Sequence, residues 1–200
     1  NMYLLSGENI TCGYGAVDIV TNCNIGVYKG KISSVVGPNG AGKSTAMKAL
    51  FGLLPIKHGK VFFDGEDITN LQPQQRVLKG MGIVPQTNNI FPSLTVHENL
   101  EMGAFIDQNN INEMLEYVYD LFPILKDKKN QDAGELSGGQ RQQVAVGRAL
   151  MTKPKLLMLD EPSAGVSPII MDGLFTKIKE IANHGTAILM VEQNAKQALK

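Results

Sequence analysis

Gly37-Pro38-Asn39-Gly40-Ala41-Gly42-Lys43-Ser44 fits the pattern G-x-x-x-x-G-K-S/T, which holds the phosphates of a nucleoside triphosphate. Its glycines let backbone N–H groups turn inward and come close to an anion, where a Cβ would obstruct them. Lys43 supplies a compact positive charge for the β- and γ-phosphates, and Ser44 offers a hydroxyl to Mg²⁺. The preceding run, Lys31-Ile32-Ser33-Ser34-Val35-Val36, reads as a buried strand, and Thr45 to Leu54 reads as a helix. This strand–loop–helix order aims the positive end of a helix at the nucleotide, and Gly37 to Thr45 is therefore the expected phosphate site. A glycine-rich turn that binds nothing needs neither the lysine nor the serine.

Outward from this loop, strands alternate with helices. Leu4 to Cys12, Ile25 to Tyr28 and Lys60 to Phe63 are strand-like, the last ending at the hairpin signal Asp64-Gly65. Gly82 to Val84, Lys155 to Leu159 and Ala187 to Val191 read as short buried strands. Val96 to Ala104 and Ile111 to Phe122 read as helices separated by Asp107-Gln108-Asn109-Asn110. Ser137 caps a further helix with Ala145, Val146, Ala149 and Leu150 on one face, and Pro168 begins another with Ile170, Leu174, Ile178 and Ile181 as its inner stripe. The pattern predicts an α/β fold with a mainly parallel sheet covered on both faces. An N-terminal antiparallel β subdomain precedes it, and an α-helical subdomain at about 87–150 is inserted into it.

Composition narrows the class. The chain of 200 residues is 43% hydrophobic and 19% charged, and its 19 basic residues balance 19 acidic ones. That suits one ordinary globular unit and gives no basic excess for wrapping nucleic acid. Cys12 and Cys23 are too few for a disulfide framework or a metal cluster, which suits a reducing cytoplasmic setting. No apolar run reaches the roughly 18–20 residues needed to span a bilayer, and no signal peptide is expected. Asn1 before Met2 reads as extraneous. The helical pattern running to Lys200 has no stop signal, so continuation beyond it is expected.

Leu156-Leu157-Met158-Leu159-Asp160-Glu161 is the second strong signal. Four apolar residues bury a strand, and Asp160 at its carboxyl end then faces the phosphate loop and supports Mg²⁺. Glu161 stands where it can polarise a water for attack on the γ-phosphate. Adjacent acids at a strand end are otherwise a solvated turn. Leu136-Ser137-Gly138-Gly139-Gln140 is the third signal. It opens a helix whose free N–H groups can receive an anion, and it continues as Arg141-Gln142-Gln143.

Together these motifs resemble those of the ATP-binding-cassette (ABC) ATPases, and the resemblance covers essentially the whole chain. It implies a P-loop NTPase core that binds ATP and Mg²⁺. It further implies that Tyr14 stacks on adenine, and that Gln86 links Mg²⁺ and the attacking water to the helical subdomain. Ser163-Ala164-Gly165-Val166 then touches an opposing subunit. The family's histidine after the last core strand is replaced here by Gln193, in Val191-Glu192-Gln193-Asn194. Glutamine can donate a hydrogen bond to phosphate but cannot relay a proton or carry positive charge, which leaves Glu161 as the base. His58, His97 and His184 lie outside the motifs.

The resemblance also implies a head-to-tail dimer, homo- or heteromeric, with Ser137, Gly138, Gly139 and Gln140 of one ATPase subunit completing the other's ATP site. Transmembrane permease subunits would dock beside the helical subdomain on the cytoplasmic face of the membrane. The docking segment is expected within Val84 to Ala104, around Phe91-Pro92-Ser93-Leu94. A solute-binding protein would be an indirect partner, and no nucleic acid is expected. Asn130 to Glu135 lacks the acidic, glycine-bearing element of exporters, which points to import. Ser163-Ala164-Gly165 with Val191 to Ala195 resembles the ATPases of branched-chain amino-acid importers and their amide or urea relatives. The alternatives are soluble ABC ATPases acting on ribosomes or chromosomes. The first calls for two cassettes and a charged linker, the second for a long coiled coil between Lys43 and Ser137; neither is present in this sequence. A P-loop kinase would lack Leu136 to Gln140.

Overall fold

The computed structural model describes residues 2–36, 42–106 and 108–193. Two sheets organise it. The first is antiparallel, in the order β2 (Val17–Val27), β1 (Leu5–Tyr14), β4 (Ile56–Phe63), β5 (Glu66–Asp67). The first two strands are longer than the sequence signals suggested. Asp64 and Gly65 turn β4 into β5 with φ of 51° and 84°, the left-handed pair that a two-residue hairpin requires.

The second sheet is parallel, in the order β3 (Ile32–Val36), β8 (Ala187–Glu192), β7 (Leu156–Asp160), β6 (Met81–Val84). β7 and β8 are buried along their whole length, as unbroken apolar runs in a covered parallel sheet must be. Alternation splits their side chains between two cores. Leu156, Met158, Leu189 and Val191 pack toward α1 (Lys43–Phe51) and the antiparallel sheet. Leu157, Leu159, Ile188 and Met190 pack toward α6 (Gly138–Leu150) and α7 (Pro168–Asn183). The strand preceding the phosphate loop differs from expectation. Among the described residues β3 is bonded only to β8, and Ile32 and Ser34 remain exposed.

The helical region comprises α3 (Val96–Gly103), α4 (Ile111–Leu121) and α5 (Pro123–Asp127), packed against α6. A short α2 (Pro73–Leu78) lies beside β6. Thr95 and Glu98 start α3 with reciprocal 3.0 Å caps, satisfying two otherwise orphaned N–H groups. The inner face of α7 is Met171, Leu174, Phe175, Ile178 and Ile181. Ile170, expected in that stripe, is exposed, because it belongs to the first turn and reaches sideways toward Gly139.

Candidate functional site

In-register pairing places Val36 opposite Glu192 and Asp160 opposite Val191. The carboxyl ends of β3, β7 and β8 therefore lie side by side, the usual location of ligand sites in open parallel sheets. From β3 the chain passes to α1. Gly37, Pro38, Asn39, Gly40 and Ala41 lie outside the described residues. Gly42 caps α1 with φ 84°, and a Cβ there would come within 2.8 Å of Val20 Cγ2. Both its conformation and its space demand glycine.

Lys43 and Ser44, the first residues of α1, meet the two acids at the end of β7. Ser44 Oγ donates to Asp160 Oδ1 at 2.8 Å, joining positions 116 residues apart. Lys43 Nζ lies 3.9 Å from Glu161 Oε1, and both side chains are less than a tenth exposed. Tyr14, Ile19, Gly42 and Thr45 complete the cleft around Lys43, Ser44 and Glu161. Tyr14 is half exposed at its rim.

Glu161 is held in an uncommon backbone state. Its φ is 46°, a conformation that costs a non-glycine residue about 1–3 kcal/mol and persists only where its surroundings impose it. Its N–H donates to Val191 O at 2.7 Å, and its carbonyl accepts from Ala164 N at 3.0 Å. Two further anchors follow it. Gln142 Nε2 donates to Pro162 O at 2.9 Å, and Ser163 donates through Oγ (2.6 Å) and N (3.2 Å) to the carboxylate of Glu192. Glu192 is fully buried. Burial pushes its pKa above the ordinary carboxylate range, the Ser163 hydrogen bonds pull it partly back, and the charge of Glu161 raises it further.

Ser137 and Gln140 form a reciprocal cap at the start of α6, with Gln140 N donating to Ser137 Oγ at 3.2 Å and Ser137 N to Gln140 Oε1 at 3.3 Å. Gly139 is buried, and a Cβ there would fall 2.4 Å from Ile170 Cγ2. Gly138 faces Gly165 O. None of Ser137, Gly138, Gly139 and Gln140 lines the Lys43–Glu161 cleft. Gln86 follows β6 and Gln193 follows β8, both exposed.

Between β6, α6 and the end of α3 lies an apolar groove of about 240 Å³, whose walls include Phe51, Val84, Phe105 and Arg148. The Arg148 guanidinium covers the Phe91 ring at 4.5 Å. Asn99, fully buried, accepts from Phe91 N (2.7 Å) and donates to the carbonyls of Phe91 (2.9 Å) and Thr95 (2.9 Å). The loop expected to dock a partner is thus braced from within.

Asn99, Gln142, Arg148 and Glu192 carry no assigned role in the sequence, and Ser163, expected to touch an opposing subunit, also donates to Glu192 within the chain. One signal was available for Gln142. It sits three and four positions before Ala145 and Val146, a polar residue on the apolar face of α6.

The arrangement joins a cation, a hydroxyl and two carboxylates at the carboxyl ends of the parallel strands. The sequence profile described as ABC transporter matches residues 20–164. The high-affinity branched-chain amino acid transport ATP-binding protein BraG of Pseudomonas aeruginosa is 41% identical, covering 98% of this chain and 85% of that protein. The lipopolysaccharide export system ATP-binding protein LptB of Haemophilus influenzae is 35% identical over 99% of this chain and 83% of its own. The crystal structure of an ATP-binding cassette of an ABC transporter in its ADP conformation superposes with a TM-score of 0.87 at 34% identity, covering 100% of this chain and 84% of that one. Motifs, fold and likeness agree over the same residues, and the chain belongs to the ABC transporter family as one of its ATPases.

Proposed function

We propose that this ATPase powers a membrane importer of branched-chain amino acids or related amides, binding Mg²⁺·ATP between residues 37–45 and Glu161. The observation that carries the nucleotide assignment is the meeting of Ser44 with Asp160 and of Lys43 with Glu161. Lys43 faces the β- and γ-phosphates, and Tyr14 at the rim receives the adenine. Hard oxygen donors suit Mg²⁺, and the Ser44–Asp160 pair supplies two, with Gln86 as a further contact. Bound there, the ion neutralises charge on the phosphate oxygens. Glu161 orients the attacking water and accepts its proton, and Gln193 donates a hydrogen bond to the γ-phosphate.

Among the described residues the cleft is lined by Tyr14, Ile19, Gly42 to Thr45 and Glu161, and Ser137 to Gln140 stand at the start of α6 outside it. Both observations fit a head-to-tail pair in which each subunit's α6 closes the other's nucleotide site. The apolar groove is the seat for a segment of a transmembrane permease. No helix among the described residues is long and apolar enough to cross a membrane; the likeness to transporter ATP-binding proteins supports a peripheral place on the cytoplasmic face. The import assignment rests on the greater identity to BraG than to LptB.

The test uses the full-length chain reconstituted with its permease subunits. Glu161→Gln is expected to bind ATP, slow hydrolysis at least ~10²-fold and accumulate as an ATP-bound dimer in size-exclusion chromatography. Gln193→Ala is expected to cost less. Unchanged turnover in Glu161→Gln overturns the assignment of the base. ATP hydrolysis without ATP-driven uptake of labelled leucine or an amide overturns the import reading alone.

A further inference from the structure

The groove and the catalytic acid are joined by one short run of hydrogen bonds. Asn89, in the loop that follows β6 and lines the groove, donates from Nδ2 to Pro85 O at 2.9 Å and to Gln142 Oε1 at 3.2 Å. Gln142 passes the connection on, donating from Nε2 to Pro162 O at 2.9 Å, one residue beyond Glu161. Arg148 holds the near end, with Nη1 donating to Asn89 O at 3.2 Å while its guanidinium covers Phe91.

The polarity of this run is fixed by chemistry. Carbonyls of Pro85 and Pro162 only accept, so each terminal amide must turn its nitrogen outward. The Gln142 oxygen then faces Asn89, whose second N–H satisfies it. A carboxylate at position 142 would face a carbonyl oxygen, and a hydrocarbon would leave Pro162 O and an Asn89 N–H without these partners. Gln142 is only 8% exposed, so water cannot readily replace it, and unsatisfied buried groups are costly. What it holds is a segment already in a strained conformation, with Glu161 at φ 46°. Such a state depends on all its supports.

We propose that Gln142 is a positioning residue for hydrolysis: through Asn89 and Pro162 it couples a permease segment seated in the groove to the placement of Glu161. This rests on the reading above, in which the groove receives the permease and Glu161 acts on water. Displacing the Pro85–Asn89 loop shifts Gln142, and Gln142 moves the carbonyl that follows the catalytic acid. Gln142 itself does not line the Lys43–Glu161 cleft.

The experiment measures ATPase kinetics of the full-length chain, alone and in the reconstituted transporter, for wild type, Gln142→Met, Asn89→Leu and the double variant. Gln142→Met keeps length and volume while removing both hydrogen bonds. It is expected to lower kcat in the transporter ~10–100-fold, the scale of a misplaced catalytic group, with KM for ATP within about twofold, since the phosphate contacts stay in place. The ratio of transporter rate to isolated-chain rate should fall toward one. The double variant should lose no more than Gln142→Met, because both substitutions cut one path. Retention of both kcat and the ratio in Gln142→Met overturns the proposal, as does additive loss in the double variant. If Gln142→Met lowers the thermal midpoint markedly, Asn89→Leu decides by the same ratio. A wild-type transporter that is no faster than the isolated chain overturns the docking reading and the coupling built on it. Undiminished turnover in Glu161→Gln instead marks a failure of the assigned base.

Discussion

The cleft lies at the carboxyl ends of the parallel strands and the apolar groove beside the edge strand β6, and they are built on opposite terms. In the cleft, charged side chains are withdrawn from water and set against each other: Lys43 against Glu161, and Ser44 against Asp160. In the groove, aromatic and aliphatic walls stand open, and the nearby polar groups are spent on bracing the loop, as Asn99 and Arg148 do. A buried charge requires partners of matched sign and geometry, so the cleft is committed to one chemistry. An open apolar surface tolerates different partners of similar shape. This fits a chain whose relatives are named for transport of branched-chain amino acids or export of lipopolysaccharide.

The sharpest way to break this contrast is to remove the cleft's cation. Lys43→Ala leaves Glu161 buried without its 3.9 Å partner and removes the charge proposed to face the phosphates. Losing one member of a desolvated charge pair costs about 2–5 kcal/mol. ATP affinity, measured by calorimetric titration, is expected to fall at least ~30-fold. Affinity retained within a few-fold would mean that the phosphates are held elsewhere. The groove should be indifferent to this substitution, so binding of the isolated permease in the absence of nucleotide is expected to be unchanged.

The two regions were also unequally legible. The cleft is written locally: Gly42, Lys43 and Ser44 are contiguous, as are Asp160 and Glu161, and each run carries its own strand or helix signal. Capping by Ser137 was equally local, whereas the Thr95–Glu98 cap of α3 was passed over although its spacing is the same. The bracing of the groove and its link to Glu161 are tertiary. Asn89 finds Gln142 across 53 positions and Gln142 finds Pro162 across 20, and no spacing rule foretells such pairs. The solvated edge of β3 was misread for a related reason. Its apolar residues signal a strand, but which side of a strand finds a neighbour is decided by the rest of the chain.

The boundary between the regions can be probed at Gly139. There the start of α6 meets the start of α7, and a Cβ would lie 2.4 Å from Ile170 Cγ2. Ile170 is half exposed, but its β-branched side chain has few alternative χ1 rotamers. Gly139→Ala is expected to destabilise the fold by about 1–3 kcal/mol through overpacking, read as a lower urea midpoint. Ile170→Ala should restore most of the loss in the double variant, since the clash has a single source. Failure of that rescue would show that glycine is required for backbone reasons instead. Because residues 138–140 also form the surface assigned to the opposing nucleotide, ATP-dependent dimerisation should weaken with the same order of variants.

The smallest expected effect is a change of slope. Glu192 is fully buried beneath the cleft, with its pKa raised by burial and by the charge of Glu161, against the opposing pull of Ser163. A carboxyl group whose pKa is higher in the folded state holds its proton more tightly there than in the unfolded chain. Between the two values the folded state carries more protons, so stability falls as pH rises through that window and is greatest below it. Asp64, Asp67 and Glu98, whose pKa values are lowered by hydrogen bonds, with Lys155 and Lys29 also supplying charge at Asp64, act in the opposite sense, losing their contribution as pH falls. Their share is common to wild type and variant and cancels in the difference. Glu192→Gln has no proton to lose, yet its amide can still accept from Ser163 N and donate to Ser163 Oγ. The difference in thermal midpoint between Glu192→Gln and wild type should therefore widen in favour of the variant as pH climbs above the ordinary carboxylate range. A constant difference would mean that Glu192 titrates alike in the folded and unfolded states.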